Sequence, residues 1–153
     1  MTMFAYTDGA CRVSNPGICS CAFVIYKDEI EVHTEGKYLG PELRSNNFAE
    51  YQGLILLLEY LYAHQTRNVV IHSDSKLVVN QVLHNWECNG DLKPFMSKAY
   101  GLLVQGCHVL KHIKGHDGNK GNERADELCN AILDNKMEEY YADSKNFLSR
   151  PTA

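Results

Sequence analysis

The chain has 153 residues, of which 44% are apolar and 22% charged, and its formal net charge is −4. That is the composition of an ordinary globular domain long enough to bury a substantial core, and it excludes whole-chain disorder, collagen and coiled coil. No apolar run approaches the roughly 18 residues of a membrane span, and with no global positive charge any anionic ligand must be held by a local patch or by metal ions.

Taken in order, Thr2–Tyr6 is a short β-prone run ending in Asp8-Gly9. Ile18–Tyr26 is a longer run, and Ile30–Tyr38 a third that is polar enough to be half exposed, with Asp28-Glu29 between them as a hairpin turn. Gly36, Gly40 and Pro41 mark a loop. Asn47–His64 places Phe48, Tyr51, Leu54, Ile55, Leu58, Leu61 and Tyr62 near helical spacing, with Ser45, Asn46 or Asn47 as N-cap. Asn68–His72 is a buried β-branched strand, followed at once by Ser73-Asp74-Ser75. Lys76–Leu83 reads as a short helix opened by Asp74 or Ser75. Leu92–Gln105 reads as another, with Pro94 near its start. Val109–Ile113 is a last strand, Gly115–Gly121 a glycine-bearing loop, and Asn122–Asn135 a helix with Ala125, Leu128, Cys129, Ile132 and Leu133 on its apolar face. From Met137 onward a docked helical turn and a frayed end are expected. Strands that run together first and then alternate with helices predict one mixed sheet with helices packed on it.

The opening residues show no basic leader followed by an apolar stretch, so no secretory signal is expected and a cytoplasmic location is. The 6 cysteines show no CxxC spacing and are expected as free thiols, mostly buried. Cys19 and Cys21 would share one side of a strand. Trp86 reads as a core residue.

Acidic residues stand where elements end or begin. Asp8 follows the first strand, Glu50 lies in the first turn of the long helix, Asp74 follows the fourth strand, and Asp126 lies early in the last helix. Ligands of open α/β sheets gather outside the carboxyl ends of strands, where Asp8 and Asp74 would converge if their strands are parallel neighbours. Clustered carboxylates repel and raise one another's pKa, and a bound divalent cation resolves the conflict. All-oxygen ligands suit Mg²⁺ or Mn²⁺ better than zinc. The loop from Lys114 to Asn122 mixes glycines, lysines and His116, an imidazole suited to proton shuttling or product departure. With Lys111, Lys114, Lys120 and Arg124 it is the most basic part of the chain and a candidate phosphate-contacting patch.

Five segments together carry a family resemblance: Tyr6-Thr7-Asp8-Gly9, Asn15-Pro16-Gly17, Asn46-Asn47-Phe48-Ala49-Glu50, Ser73-Asp74-Ser75, and the run from Gly115-His116 to Leu128. In order and spacing the chain resembles the type 1 ribonucleases H, in a compact form without the basic handle. The resemblance implies a ribonuclease H-like α/β fold, a five-stranded mixed sheet with helices packed on both faces. It implies a catalytic domain over residues 1–135 and a partly docked tail over 136–153. Asp8, Glu50, Asp74 and Asp126 would hold two Mg²⁺ ions, with Mn²⁺ as substitute, and His116 would be the mobile-loop histidine. The substrate would be an RNA–DNA hybrid whose RNA strand is cut to 5′-phosphate and 3′-hydroxyl ends. Cys11, Asn15, Asn46, Lys76 and Asn122 would lie against the hybrid, where small polar groups read the 2′-hydroxyl. A monomer is expected.

The chain departs from the family between Asp8 and Asn15, where it is one residue longer than the best-known bacterial members. It departs again over Trp86–Tyr100, where only Lys93 and Lys98 stand in place of a lysine-rich handle. An inactive hybrid-binding scaffold, another nuclease on the same fold and a small-molecule α/β enzyme are the alternatives. The complete set of acids, the His116–Asp126 run and the lack of glycine-rich nucleotide motifs weigh against each in turn.

Overall fold

The computed structural model describes residues 2–115 and 117–149. Its elements are β1 (Met3–Arg12), β2 (Ile18–Lys27), β3 (Ile30–Tyr38), α1 (Asn46–Ala63), β4 (Val69–Ser73), α2 (Lys76–His84), α3 (Lys93–Gln105), β5 (Val109–His112) and α4 (Lys120–Ser149). The strands form one sheet in the order β3-β2-β1-β4-β5. β1, β2 and β3 pair antiparallel, while β4 runs parallel to both β1 and β5. The expected five-stranded mixed sheet is therefore observed.

β2 explains why its sequence is an unbroken apolar run. It is buried along nearly its whole length because helices cover both of its faces. On one side Phe23 and Ile25 join α1, α2, α3 and the strand residues Ala5, Val69, Ile71 and Leu110 in the main core. On the other, Val24 and Tyr26 pack with Ala125 of α4 and Tyr6 of β1. The β2–β3 connection is a two-residue turn in which Asp28 and Glu29 have φ of 52° and 65°. Positive φ at both central residues is the type I′ geometry that matches strand twist.

Three boundaries differ from the sequence reading. β1 does not end before Asp8; its antiparallel ladder with β2 continues to Arg12↔Ile18. The parallel ladder with β4 does stop, at Thr7↔Ser73, so Asp8 and Asp74 each follow the same last rung. Gly36 lies inside β3 rather than in a loop. A Cβ there would stand 2.5 Å from Ile132 Cδ1, so the missing side chain lets α4 approach. α4 continues through Asn135 to Ser149 with no separate docked turn. No glycine or proline interrupts that stretch, Lys136 pairs with Glu139 at 3.2 Å, and its ammonium lies 5.0 Å from the centre of the Tyr38 ring.

The cysteines also need correction. Cys11 and Cys19 are direct cross-strand partners and are joined by a disulfide, with their Cα atoms 4.2 Å apart. Their spacing in sequence is no motif; the hairpin register brings them together. Cys21, Cys88 and Cys129 are buried free thiols as expected, and Cys107 is free but exposed. Trp86 is 46% exposed and belongs to no core cluster of the described residues. Among the described residues no helix is long and apolar enough to cross a membrane.

Candidate active site

The site begins with two glycines. A Cβ on Gly9 would lie 2.3 Å from the Ala49 carbonyl carbon, and one on Gly53 would lie 2.6 Å from the Asp8 carbonyl oxygen. Without those side chains the first turns of α1 settle directly onto β1, which brings Glu50 to Asp8. The Gly9 amide then donates to Asp8 Oδ1 at 2.9 Å and to Glu50 Oε1 at 3.1 Å.

Serines supply the caps of α1 and α2. Ser45 caps α1 by accepting from the Phe48 amide at 3.1 Å. Ser75, not Asp74, caps α2, accepting from the Val78 amide at 3.2 Å. Ser73 Oγ accepts from the Ser75 amide, so the turn after β4 is held from within and the Asp74 carboxylate faces the site. Gly115 closes over it; a Cβ there would lie 3.0 Å from Asp74 Oδ2.

Asp8, Glu50 and Asp74 each offer a carboxylate oxygen within 4.8 Å of the others. Asp126, in the second turn of α4, stands outside that group but close enough for its charge to act on Asp8. Burial pushes the Asp8 carboxyl from 3.8 up to about 7, opposed by its hydrogen bond with Glu50 and reinforced by the charges of Asp74 and Asp126. Burial and then the Asp8 charge hold Glu50 well above the usual carboxylate range. Glu50 Oε2 is buried with no hydrogen-bond partner among the described residues, as are Thr7 Oγ1 and Asn122 Oδ1. An unpartnered buried carboxylate oxygen beside two other acids suits a hard divalent cation.

The other expected residues fall around this cluster with varied fates. Asn15 and Asn46 are both exposed and meet: Asn15 Oδ1 accepts from the Asn46 amide at 3.0 Å. Lys76 is exposed at the first position of α2. Asn122 is not a rim residue; it is buried at 3% exposure, and its backbone N–H donates to Asn119 Oδ1. Cys11 offers no free thiol, since its sulfur is bonded to Cys19. His116 lies outside the described residues. In the basic patch, Lys111, Lys114 and Lys120 are exposed, while Arg124 is engaged by Glu31 at 2.8 Å and Glu127 at 3.0 Å. Sequence reading gave Gly9, Gly53 and Gly115 no role of their own; Gly9 adjoins Asp8 and Gly53 lies one helical turn after Glu50, whereas Gly115 meets Asp74 only through the fold and carries no such signal.

A strand-end carboxylate cluster on a mixed five-stranded sheet defines a class, the metal-dependent phosphodiester hydrolases of this fold. The sequence model of the RNase H family matches residues 1–133. Ribonuclease H of Francisella philomiragia is 31% identical over 143 residues, covering 86% of this chain and 90% of its own. The crystal structure of RNase H1 from the archaeon Halobacterium salinarum superposes with a TM-score of 0.76 at 33% identity, covering 88% of this chain and 99% of that one. LC11-RNase H1, isolated from compost by a metagenomic approach and solved in complex with an RNA/DNA hybrid, gives a TM-score of 0.76 at 29% identity, covering 89% and 99%. The chain belongs to the RNase H family, and it is an enzyme of that family's metal-dependent type.

Proposed function

We propose that this protein is an endoribonuclease that hydrolyses the RNA strand of RNA–DNA hybrids and leaves 5′-phosphate and 3′-hydroxyl ends. The observation that carries the reading is the convergence of Asp8, Glu50 and Asp74 within 4.8 Å, with Asp8 raised by burial and by the charges of Asp74 and Asp126, and Glu50 by burial and the charge of Asp8. The hybrid bound to LC11-RNase H1, a relative by fold and sequence, supports the choice of substrate.

Asp8, Glu50, Asp74 and Asp126 would hold two divalent cations, Mg²⁺ foremost and Mn²⁺ as substitute. Cations held by these acids would supply Lewis-acid activation of a water and neutralisation of charge at the departing 3′-oxygen. The protein's own part is to hold the acids in place. The Gly9 amide fixes the facing oxygens of Asp8 and Glu50, and the Ser73–Ser75 turn aims Asp74. Asn15, Asn46 and Lys76 form an exposed polar rim suited to the RNA backbone and its 2′-hydroxyls. Asn122 is a further candidate contact, through a buried side-chain amide whose oxygen has no partner among the described residues. Cys11 contributes through its backbone, its sulfur being held by Cys19. His116 serves as an accessory proton handler, and residues 1–135 carry catalysis as a monomer in the cytoplasm.

The test is cleavage of an end-labelled hybrid with and without Mg²⁺, beside single-stranded RNA, double-stranded RNA and double-stranded DNA. Metal-dependent cutting confined to the hybrid's RNA strand is expected. Intact hybrid binding without cutting would replace this reading with that of a scaffold.

A further inference from the structure

The face of the sheet that carries Asp8 is only partly covered. α4 lies across β1, β2 and β3, with Gly121 against Tyr6, Ser20 bonded to the Cys129 carbonyl, and Ile132 against Gly36. The same face of β1, β4 and β5 carries two successive rows fixed by the parallel register. The row nearest the carboxylates is Tyr6, His72 and Lys111, and the next is Phe4, Val70 and Val109. Asp8 and Asp74 follow one step above. The rings form a continuous column: Tyr6 and His72 stack at 4.6 Å and 15°, and Phe4 and His72 at 6.0 Å and 30°. Phe4 is 40% exposed on the central strand and Val109 48% exposed on the edge strand β5, so an apolar patch lies open from the middle of the sheet to its edge.

We infer that this aromatic strip is a binding subsite for the single-stranded continuation of the RNA strand as it leaves the carboxylate cluster. Three observations select that occupant. The strip is continuous with the cluster, so a strand whose phosphate sits at Asp8 and Asp74 runs onto Tyr6–His72 next. Exposed Lys111 borders the rings and exposed Lys114 lies beyond the end of β5, giving positive charge where a phosphate backbone would track. Of the three rings Phe4 is exposed while Tyr6 and His72 are half-buried behind it, and an exposed aromatic ring stacks on any base, which gives sequence-tolerant affinity. Rows about 7 Å apart suit an extended, unstacked strand, one base to a row. The inference rests on the proposed cleavage of hybrids and adds to it a preference for hybrids whose RNA strand overhangs.

The experiment compares a blunt RNA–DNA hybrid with the same hybrid carrying a few unpaired adenosines on its RNA strand, at either end. Two further arms carry the extension on the DNA strand. KM is read in Mg²⁺, and fluorescence anisotropy gives affinity directly, so the subsite is tested even if no hybrid is cut. An RNA extension at one end is expected to lower KM about tenfold. Phe4→Ala and Val109→Glu, each checked for native circular dichroism, are expected to abolish that gain and leave cleavage of the blunt hybrid unchanged. Equal KM for extended and blunt hybrids, an equal gain from a DNA-strand extension, or a gain that survives both substitutions would overturn the subsite. So would a dimer in sedimentation that Phe4→Ala converts to monomer, since a second copy would then own the face. Absence of cutting on every hybrid, with the anisotropy preference intact, would overturn the catalytic reading and leave the subsite standing.

Discussion

Asp8 and Glu50 share a single backbone donor: the Gly9 amide lies 2.9 Å from one carboxylate and 3.1 Å from the other. Two acids that repel are thus held on one N–H, and the arrangement depends on a residue with no side chain. Gly9→Ala places a Cβ within 2.3 Å of the backbone of α1, so helix and strand must part. A loss of about 1–3 kcal/mol in stability is expected, with a much larger loss of cleavage as Glu50 moves away. Urea unfolding and hybrid cleavage on the same preparation check this. A stable, fully active variant would show that the close approach is not needed.

Asp8→Asn removes one of the clustered charges. Cleavage should disappear, while the metal-free protein at neutral pH should gain about 1–2 kcal/mol, because a buried charge among like charges is replaced by a neutral amide. Thermal unfolding in EDTA measures the second effect. A variant less stable than the parent would mean that the acids are stabilised by groups other than a cation.

The pH dependence of metal-free stability has a definite sign. Asp8 titrates at about 7 when folded against 3.8 when free. Between those values the folded chain binds a proton that the unfolded chain does not, so stability rises as pH falls across that window. The contribution is fully present below the lower value and is lost as pH rises through about 7. His72 and His108, both lowered by burial, act in the opposite sense. The quantity to measure is therefore the parent minus Asp8→Asn, in urea with EDTA, from mildly acidic to mildly basic pH. Saturating Mg²⁺ should flatten the slope in the parent, since a bound cation keeps Asp8 ionised.

The Cys11–Cys19 bond closes a short loop between β1 and β2. Reduction, or paired replacement by serine, should cost about 2–3 kcal/mol by the loop-entropy argument. Urea unfolding with and without dithiothreitol reads this out. Thiol titration of the unreduced, denatured protein should count four free cysteines, the remainder after one disulfide. A count of six would remove the bond and restore Cys11 as a thiol at the rim.

Much of this molecule was legible because its signals are local. Ser45 and Ser75 announce helix starts, Asp28-Glu29 announces a hairpin, and the acids stand beside apolar periodicity that places them at element ends. What escaped notice depends on register or on contact between distant segments. The extension of β1 past Asp8 comes from its ladder with β2, whereas the sequence there, Gly9-Ala10-Cys11, is no strand signal. The disulfide follows from the same ladder. Asn122 looks like a polar surface residue in sequence and is buried only because α4 folds its first turn against Tyr6. Trp86 looked apolar enough for the core, yet it follows Asn85, whose left-handed conformation at φ 53° ends α2 and turns the chain outward.

The length of α4 has a practical side. Its 30 residues run from Lys120 to Ser149. At 1.5 Å per residue the far end stands about 35 Å along the helix from Asp126. A fluorophore or surface tether attached beyond Ser149 would ride on a stiff spacer clear of the carboxylates. Single hybrids could then be watched as they are engaged and released by an enzyme fixed in place.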